Sequence, residues 1–519
     1  MTLDVAIRNG LVVDGTGRPA FAADVGIEGG RIVTLGETSA AATEIDAAGL
    51  TVVPGFVDVH SHSDYTLLLD PRAVSALHQG VTTEVVGNCG HGCFPIGDPS
   101  LAQRAIYGYS PSLPLSWSSA DGYFERLEEA RPAVNVASLV PNGQLRLAVV
   151  GLEDRPATQA ERAAMAALLE ESLEQGAWGY STGLEYAAER AAPPDELGQL
   201  CAVCARRDGL YATHTRYRDG GSDDAVLEAA ETAEGAGVRL QVSHLVPRNG
   251  LAATRACVEH VERAAGRGLD VAFDMHTRLF GTTFLSAALP PSFLAGERLG
   301  GEEWKQGAVA AMSTYTSILS AGEDWSRVVL LDNEIWPEYA RRDLASIAAE
   351  REQPVAAAIC DLLSGAPEAV GRLMVVIHCY TEDQQAEAFA HPLCTPGSDA
   401  TTLAPDGPLA SSVFHGSYTW AAWFLRFMVR DRALLSLEEA VKRLSSDPAG
   451  RVGLQGRGTL SLGAHADVTV LDAERVRECG TIFEPNRLAT GVRDVLVNGE
   501  PALAGGVLTG RRPGRVLRR

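Results

Sequence analysis

Short apolar runs broken by turn pairs open the chain. Val5–Ile7, Leu11–Val13, Asp24–Ile27 and Arg31–Val33 are separated by Asn9-Gly10, Asp14-Gly15 and Gly29-Gly30, pairs that favour tight turns between antiparallel strands. The same style returns in Asp467–Leu471, Val495–Gly499 and Gly505–Leu508. The two ends therefore predict one small β-domain, residues 1–58 with 446–519, into which residues 59–445 are inserted. The inserted part alternates. Runs at Thr51–Val53, Thr83–Val86, Val134–Ala137, Tyr211–Thr213, Arg239–Val242 and Leu373–Ile377 predict strands, and Gln159–Gln175, Asp223–Glu234 and Ala252–Ala265 predict helices. Such alternation over several hundred residues implies a parallel sheet, closed or open. From Gly281 to Pro354 the alternation breaks, and residues 281–354 read as an insertion or lid.

Composition narrows the class. The chain has 519 residues, 46% of them hydrophobic and 21% charged, which suits an ordinary globular enzyme. Its formal net charge of −22 argues against a nucleic-acid partner. Arg511, Arg512, Arg515, Arg518 and Arg519 form the one basic cluster, expected as a solvated tail. There is no basic segment followed by an apolar run near Met1 and no run of about 18 apolar residues, so neither a signal peptide nor a membrane span is expected. Nine cysteines in so long a chain do not make a compact disulfide pattern, and a reducing, cytoplasmic setting is expected. Cys201 and Cys204 lie in a helix-like run and read as packing.

The strongest chemical signal is Pro54-Gly55-Phe56-Val57-Asp58-Val59-His60-Ser61-His62. Side chains two apart on an extended chain point the same way, so His60 and His62 can grip one ion at a strand's end. Tyr211–His214 and Leu240–His244 are further strand-like runs ending in histidine, and Cys394–Asp399 ends in a carboxylate. Lys305 and Lys442 are the only lysines, and neither follows a core strand. Gly80–Gly90 ends in a further candidate donor, Cys89, because a zinc-bound thiol loses its proton and binds strongly.

Two histidines, one, one more and then an aspartate is the ligand order of the amidohydrolase superfamily, which this sequence resembles over nearly its whole length. Gly-Asn-Cys-Gly at 87–90, Ser-Thr-Gly-Leu-Glu-Tyr at 181–186 and Gly-Ser-Asp at 397–399 resemble its N-acyl-D-amino-acid deacylase (D-aminoacylase) branch. The resemblance implies an α/β fold, a (β/α)8 TIM barrel inserted into a small β-sandwich built from both termini. It implies a zinc-dependent hydrolase that cleaves an amide-type C–N bond in a small molecule. Cys89, His214 and His244 would hold a tight zinc. His60 and His62 would form or complete a second, weaker site beside Asp399, which would serve as general acid and base.

Some positions depart from the branch. Where the deacylases carry Ser-His-x-Lys, this chain has Ser243-His244-Leu245-Val246, and where they carry Asp-x-Tyr-Pro-Tyr it has Asp274-Met275-His276-Thr277-Arg278. His415 with Tyr418 resembles a His-Pro-Arg-x-Tyr segment without the Pro-Arg. The expected substrate therefore differs from a plain N-acyl-D-amino acid. Tyr186, Arg216, His276, Arg278, His378 and His415 are the candidate substrate contacts. The alternatives are a cyclic-amide hydrolase of the hydantoinase or dihydroorotase kind, or a non-catalytic barrel scaffold. A homo-oligomer is compatible with the sequence.

Overall fold

The computed structural model describes residues 2–294, 300–315, 319, 324–366 and 369–519. Both ends of the chain build one nine-stranded sheet, in the order Val507–Leu508, Glu500–Ala504, Val492–Val497, Val468–Leu471, Thr51–Pro54, Leu3–Val12, Phe21–Glu28 and Arg31–Gly36. Ala41–Asp46 also pairs with Leu3–Val12. That long strand shifts register between Ile7 and Gly10, so its first half serves Ala41–Asp46 and its second half Thr51–Val52. At Gly10 a Cβ would overlap the Val52 side chain, so the bend needs a residue without one. Val5, Ile7, Val25, Ile27, Val52, Val468, Val470 and Leu496 point inward to a common apolar core, as strand alternation dictates. Thr51–Val53, read above with the inserted part, belongs to this sheet and pairs antiparallel with Val468–Leu471.

A second set of strands is parallel throughout. Phe56–Asp58, Val81–Val86, Asn135–Pro141 (interrupted at Leu139), Gly179–Gly183, Leu210–His214, Arg239–Val242, Val271–His276 and Cys394–Gly397 follow one another side by side. A parallel bridge from Ser61 to Ala400 and the bond from Asp399 N to His60 O join the last to the first. The ring is a closed (β/α)8 barrel. Its strands are almost wholly buried, Val81–Val86 from end to end, because helices cover the outside. One such helix, Gln159–Glu174, opens on a reciprocal cap between Thr158 and Glu161, which satisfies two otherwise orphaned donors.

Two local readings change. Met374–His378 is not a barrel strand. It runs antiparallel between Phe280–Phe284 and Val328–Leu330 in a separate three-stranded sheet, since a short apolar run carries no mark of its partner. Nor is the arginine-rich tail free in solvent. Val136 N donates to Arg515 O and Leu517 N to Val136 O, while Arg518 pairs with Asp121 and Glu128 and Arg519 with Asp208. Acidic groups on the barrel's underside and the backbone of Val136 hold the tail down. The stretch 281–354 read as a lid includes residues 295–299, 316–318 and 320–323, which lie outside the described residues.

Candidate metal centre

The strand ends named above converge. His60, His62, Cys89 and Asp399 each offer a donor atom within 4.8 Å of the others, and Cys89, His214 and His244 do the same, so Cys89 is common to both groups. Cys89 Sγ lies 3.1 Å from His60 Nε2 and 3.5 Å from His244 Nε2. Asp399 Oδ1 lies 3.2 Å from His62 Nε2 and 3.5 Å from His60 Nε2. The thiol and the four imidazoles are almost completely buried.

Local backbone aims these groups. Cys89, His244 and Asp399 all have positive φ, at 53°, 34° and 44°, a region that non-glycine residues enter at an energetic cost and that clusters at functional sites. Each residue ends its strand in a sharp turn that throws the side chain over the barrel mouth. Gly90 also has positive φ, and a Cβ there would collide with Glu189. Glu189 accepts from Gly183 N and Asn142 Nδ2 and braces the turn from below.

Carboxylates orient the imidazoles. His60 Nδ1 lies 2.8 Å from Asp274 Oδ1, and the same carboxylate accepts from Gln241 Nε2 and His244 N. With Nδ1 turned to Asp274, His60 Nε2 faces Cys89 and Asp399, the nitrogen a neutral ring would offer to an ion. Glu185 Oε2 lies 2.9 Å from His214 Nε2, and Arg248 forks onto both Glu185 oxygens at 3.1 and 2.9 Å. Burial alone would raise the Glu185 carboxyl, but His214 and Arg248 outweigh it and hold it below the usual carboxylate range. At Asp399 burial is likewise outweighed, first by the His62 hydrogen bond and then by the charge of Arg278. Burial pushes the Cys89 thiol up to about 11 against the opposing pull of His60.

The substrate-contact candidates divide. Tyr186 Oη is 3.4 Å from His214 Nδ1. His276 is buried with its ring 6.5 Å from that of His244. Arg278 Nη2 lies on Asp399 Oδ2, and its Nη1 donates to Ser398 O. His415 and His378 flank Phe280 at 5.1 and 6.2 Å between ring centres. Arg216 is not brought into this group: it is committed to Glu228 and the carbonyls of Arg190 and Ala192. Sequence reasoning passed over Asp274, Glu185, Tyr107 and His91. The Tyr107 ring lies tilted against His62 and His91 at 4.7 and 4.6 Å, and His91 meets Tyr186 edge-on at 4.6 Å, giving one side of the site an aromatic wall. Of these, Asp274 alone carried a signal, as a carboxylate inside an apolar strand.

A thiol, four imidazoles and a carboxylate that meet at one strand-end cluster are a zinc donor set, and the residues present fit such an ion. The sequence profile of the amidohydrolase family matches residues 43–359 and 397–502. The chain belongs to the amidohydrolase family. This amidohydrolase is 34% identical to the N-acyl-D-aspartate deacylase of Alcaligenes xylosoxydans xylosoxydans, over 99% of this chain and 95% of that protein. It is 32% identical to the N-acyl-D-glutamate deacylase of the same organism, over 100% and 97%. Among solved structures it is similar to the N-acyl-D-glutamate deacylase of Bordetella bronchiseptica, complexed with zinc and a phosphonate inhibitor, at 31% identity and a TM-score of 0.83, covering the whole of both chains. Among the described residues, no helix is long and apolar enough to cross a membrane.

Proposed function

We propose that this amidohydrolase is a zinc-dependent, D-aminoacylase-like enzyme that hydrolyses the amide C–N bond of an N-acylated small molecule. The observation that carries this reading is the pair of donor groups sharing Cys89, with Asp399 at their edge. Cys89, His214 and His244 would hold the tight zinc, and His60, His62 and Asp399 a weaker one. Bound there, zinc would polarise the amide carbonyl and lower the pKa of water towards ~7. Asp399 takes the proton of the attacking water through Oδ1, the oxygen that faces the imidazoles. It then returns that proton to the nitrogen, which leaves as an amine as the C–N bond breaks. Arg278 holds the carboxylate from its far side, Asp274 and Glu185 orient the ring nitrogens, and the Tyr107–His91–Tyr186 wall limits water access.

A hydantoinase-like reading gains nothing from the lysines, since Lys305 pairs with Asp361 and Lys442 with Asp447. The division into 1–58 with 446–519 and 59–445, a lid role for 281–354 and a cytoplasmic setting belong to the same proposal. Nine cysteines without a disulfide support the last of these. Elemental analysis of the purified protein should find about one or two zinc ions per chain. An amine-release assay on N-acyl-D-amino acids, N-acyl-L-amino acids and neutral amides should show turnover that Cys89→Ala and Asp399→Ala abolish. Protein purified without chelator that carries no metal would overturn the reading.

A further inference from the structure

Arg218 is 6% exposed, yet among the described residues no carboxylate pairs with it. Its Nη2 donates to His244 O at 2.7 Å, to Val246 O at 3.0 Å and to Tyr380 Oη at 3.0 Å. Its Nε and Nη1 have no protein partner among the described residues. The neighbouring arginines are each neutralised: Arg216 by Glu228, Arg248 by Glu185 and Asp219, Arg278 by Asp399. A buried cation without a counter-ion is costly unless something arrives to pair with it.

Its position says what arrives. The guanidinium rests on the carbonyl of His244, itself a metal donor, and on that of Val246, whose own side chain brings no charge. Tyr380 connects it to His276, ring centre to ring centre at 5.1 Å. His276 Nδ1 is buried with no hydrogen-bond partner, a second polar group awaiting one. A cation, a phenol and an imidazole side by side next to a hydrolytic centre suit an oxyanion of the substrate, and guanidinium pairs well with carboxylate.

We propose that Arg218, with Tyr380 and His276, is the receptor for a carboxylate on the amine half of the substrate. This rests on the hydrolytic reading above and deepens it. The acid end is recognised from the strand end at His214, through the side chain four residues on, and Val246 serves only through its carbonyl.

The test uses metal-loaded Asp399→Ala protein, in which hydrolysis is blocked. Calorimetry compares the N-acetyl derivatives of D- and L-alanine, aspartate and glutamate with their fully amidated counterparts. At least one acid should bind roughly 10–100-fold more tightly than its amide, the range of a charge-assisted hydrogen bond. Arg218→Met in the same background should erase that gap with zinc content unchanged, and Arg218→Lys should keep part of it. No acid outbinding its amide, or a gap that survives Arg218→Met, overturns the proposal. Should Arg218→Met not fold, Arg218→Lys decides: a smaller gap supports the receptor and an unchanged gap overturns it. If the native enzyme releases no amine while the gap is present, the hydrolytic reading falls and the receptor stands. Amine release without any gap means the reverse.

Discussion

Arg278 Nη2 lies 2.8 Å from Asp399 Oδ2, so one oxygen of the carboxylate is tied to a cation while the other faces His62 and His60. The arginine is itself anchored by Nη1 on Ser398 O at 2.6 Å. Arg278→Met should lower kcat about 10–100-fold, the loss of one charge-assisted hydrogen bond in the reacting geometry, with a smaller change in KM. Arg278→Lys should recover only part, because a single ammonium does not reproduce the planar fork that spans both acceptors. Steady-state kinetics decide it, and an unchanged kcat in Arg278→Met would show that Asp399 is held without it.

Glu185 lies 2.9 Å from His214 Nε2 and would act through that ring on an ion held by it. Removing it frees the Nε2 hydrogen and with it the ring's orientation. Glu185→Ala should weaken zinc affinity by roughly 10–100-fold, read by competition with a chromogenic chelator. Glu185→Gln should fall between, since its amide oxygen still accepts. Affinity equal to that of the native protein would remove Glu185 from the site.

Away from the site, Arg146 and Glu196 form an ion pair with side-chain exposures of 1% and 0%. Arg146 also donates to Ala188 O and Arg155 O, and Glu196 accepts from Ala157 N. Glu196→Ala leaves the guanidinium buried and unpaired, and stability should fall by about 3–5 kcal/mol. Urea unfolding followed by circular dichroism measures this, and a loss below about 1 kcal/mol would show that water reaches Arg146.

Acid should weaken the fold through histidines held neutral. Burial, with Arg278 beside it, lowers His415 to about 4, and burial, with Arg457 and Arg31, lowers His465 to about 4. The ordinary value is 6.5, so as pH falls past it the unfolded chain takes up protons that the folded chain refuses. The contribution of these two histidines should decline from there downward and level off near pH 4, where the folded form protonates too. His465→Gln should flatten that slope in melting curves taken between these limits; a slope equal to the native one would clear His465.

The donor convergence was legible because each donor ends an apolar run, and the ends of parallel strands share one face. His60 and His62 showed it by spacing alone, while Cys89 needed the shortage of lysine to stand out. The partners behind them were not legible. Glu185 reaches His214 from the preceding strand-end loop, Arg218 lies beyond Arg216 in a charged stretch where either could have faced the site, and Tyr107 comes from an irregular segment. Pairing also escaped: Leu373–Ile377 had the look of a barrel strand, and only contact with Phe280–Phe284 places it elsewhere. Nor did charge alone foretell the docked tail, since Asp121, Glu128 and Asp208 lie far from it along the chain.

His62 and Asp399 meet across 337 positions of chain, at the seam where the barrel's first and last strands join. An ion held there would cross-link the chain across a loop that spans the whole barrel. Closing so large a loop in the unfolded chain is entropically expensive, so a preformed clasp favours the native ring. Because an ion that binds only the folded form raises stability with its free concentration, the melting temperature becomes a gauge of zinc supply. In a zinc-starved cell the protein's lifetime would shorten as well as its activity.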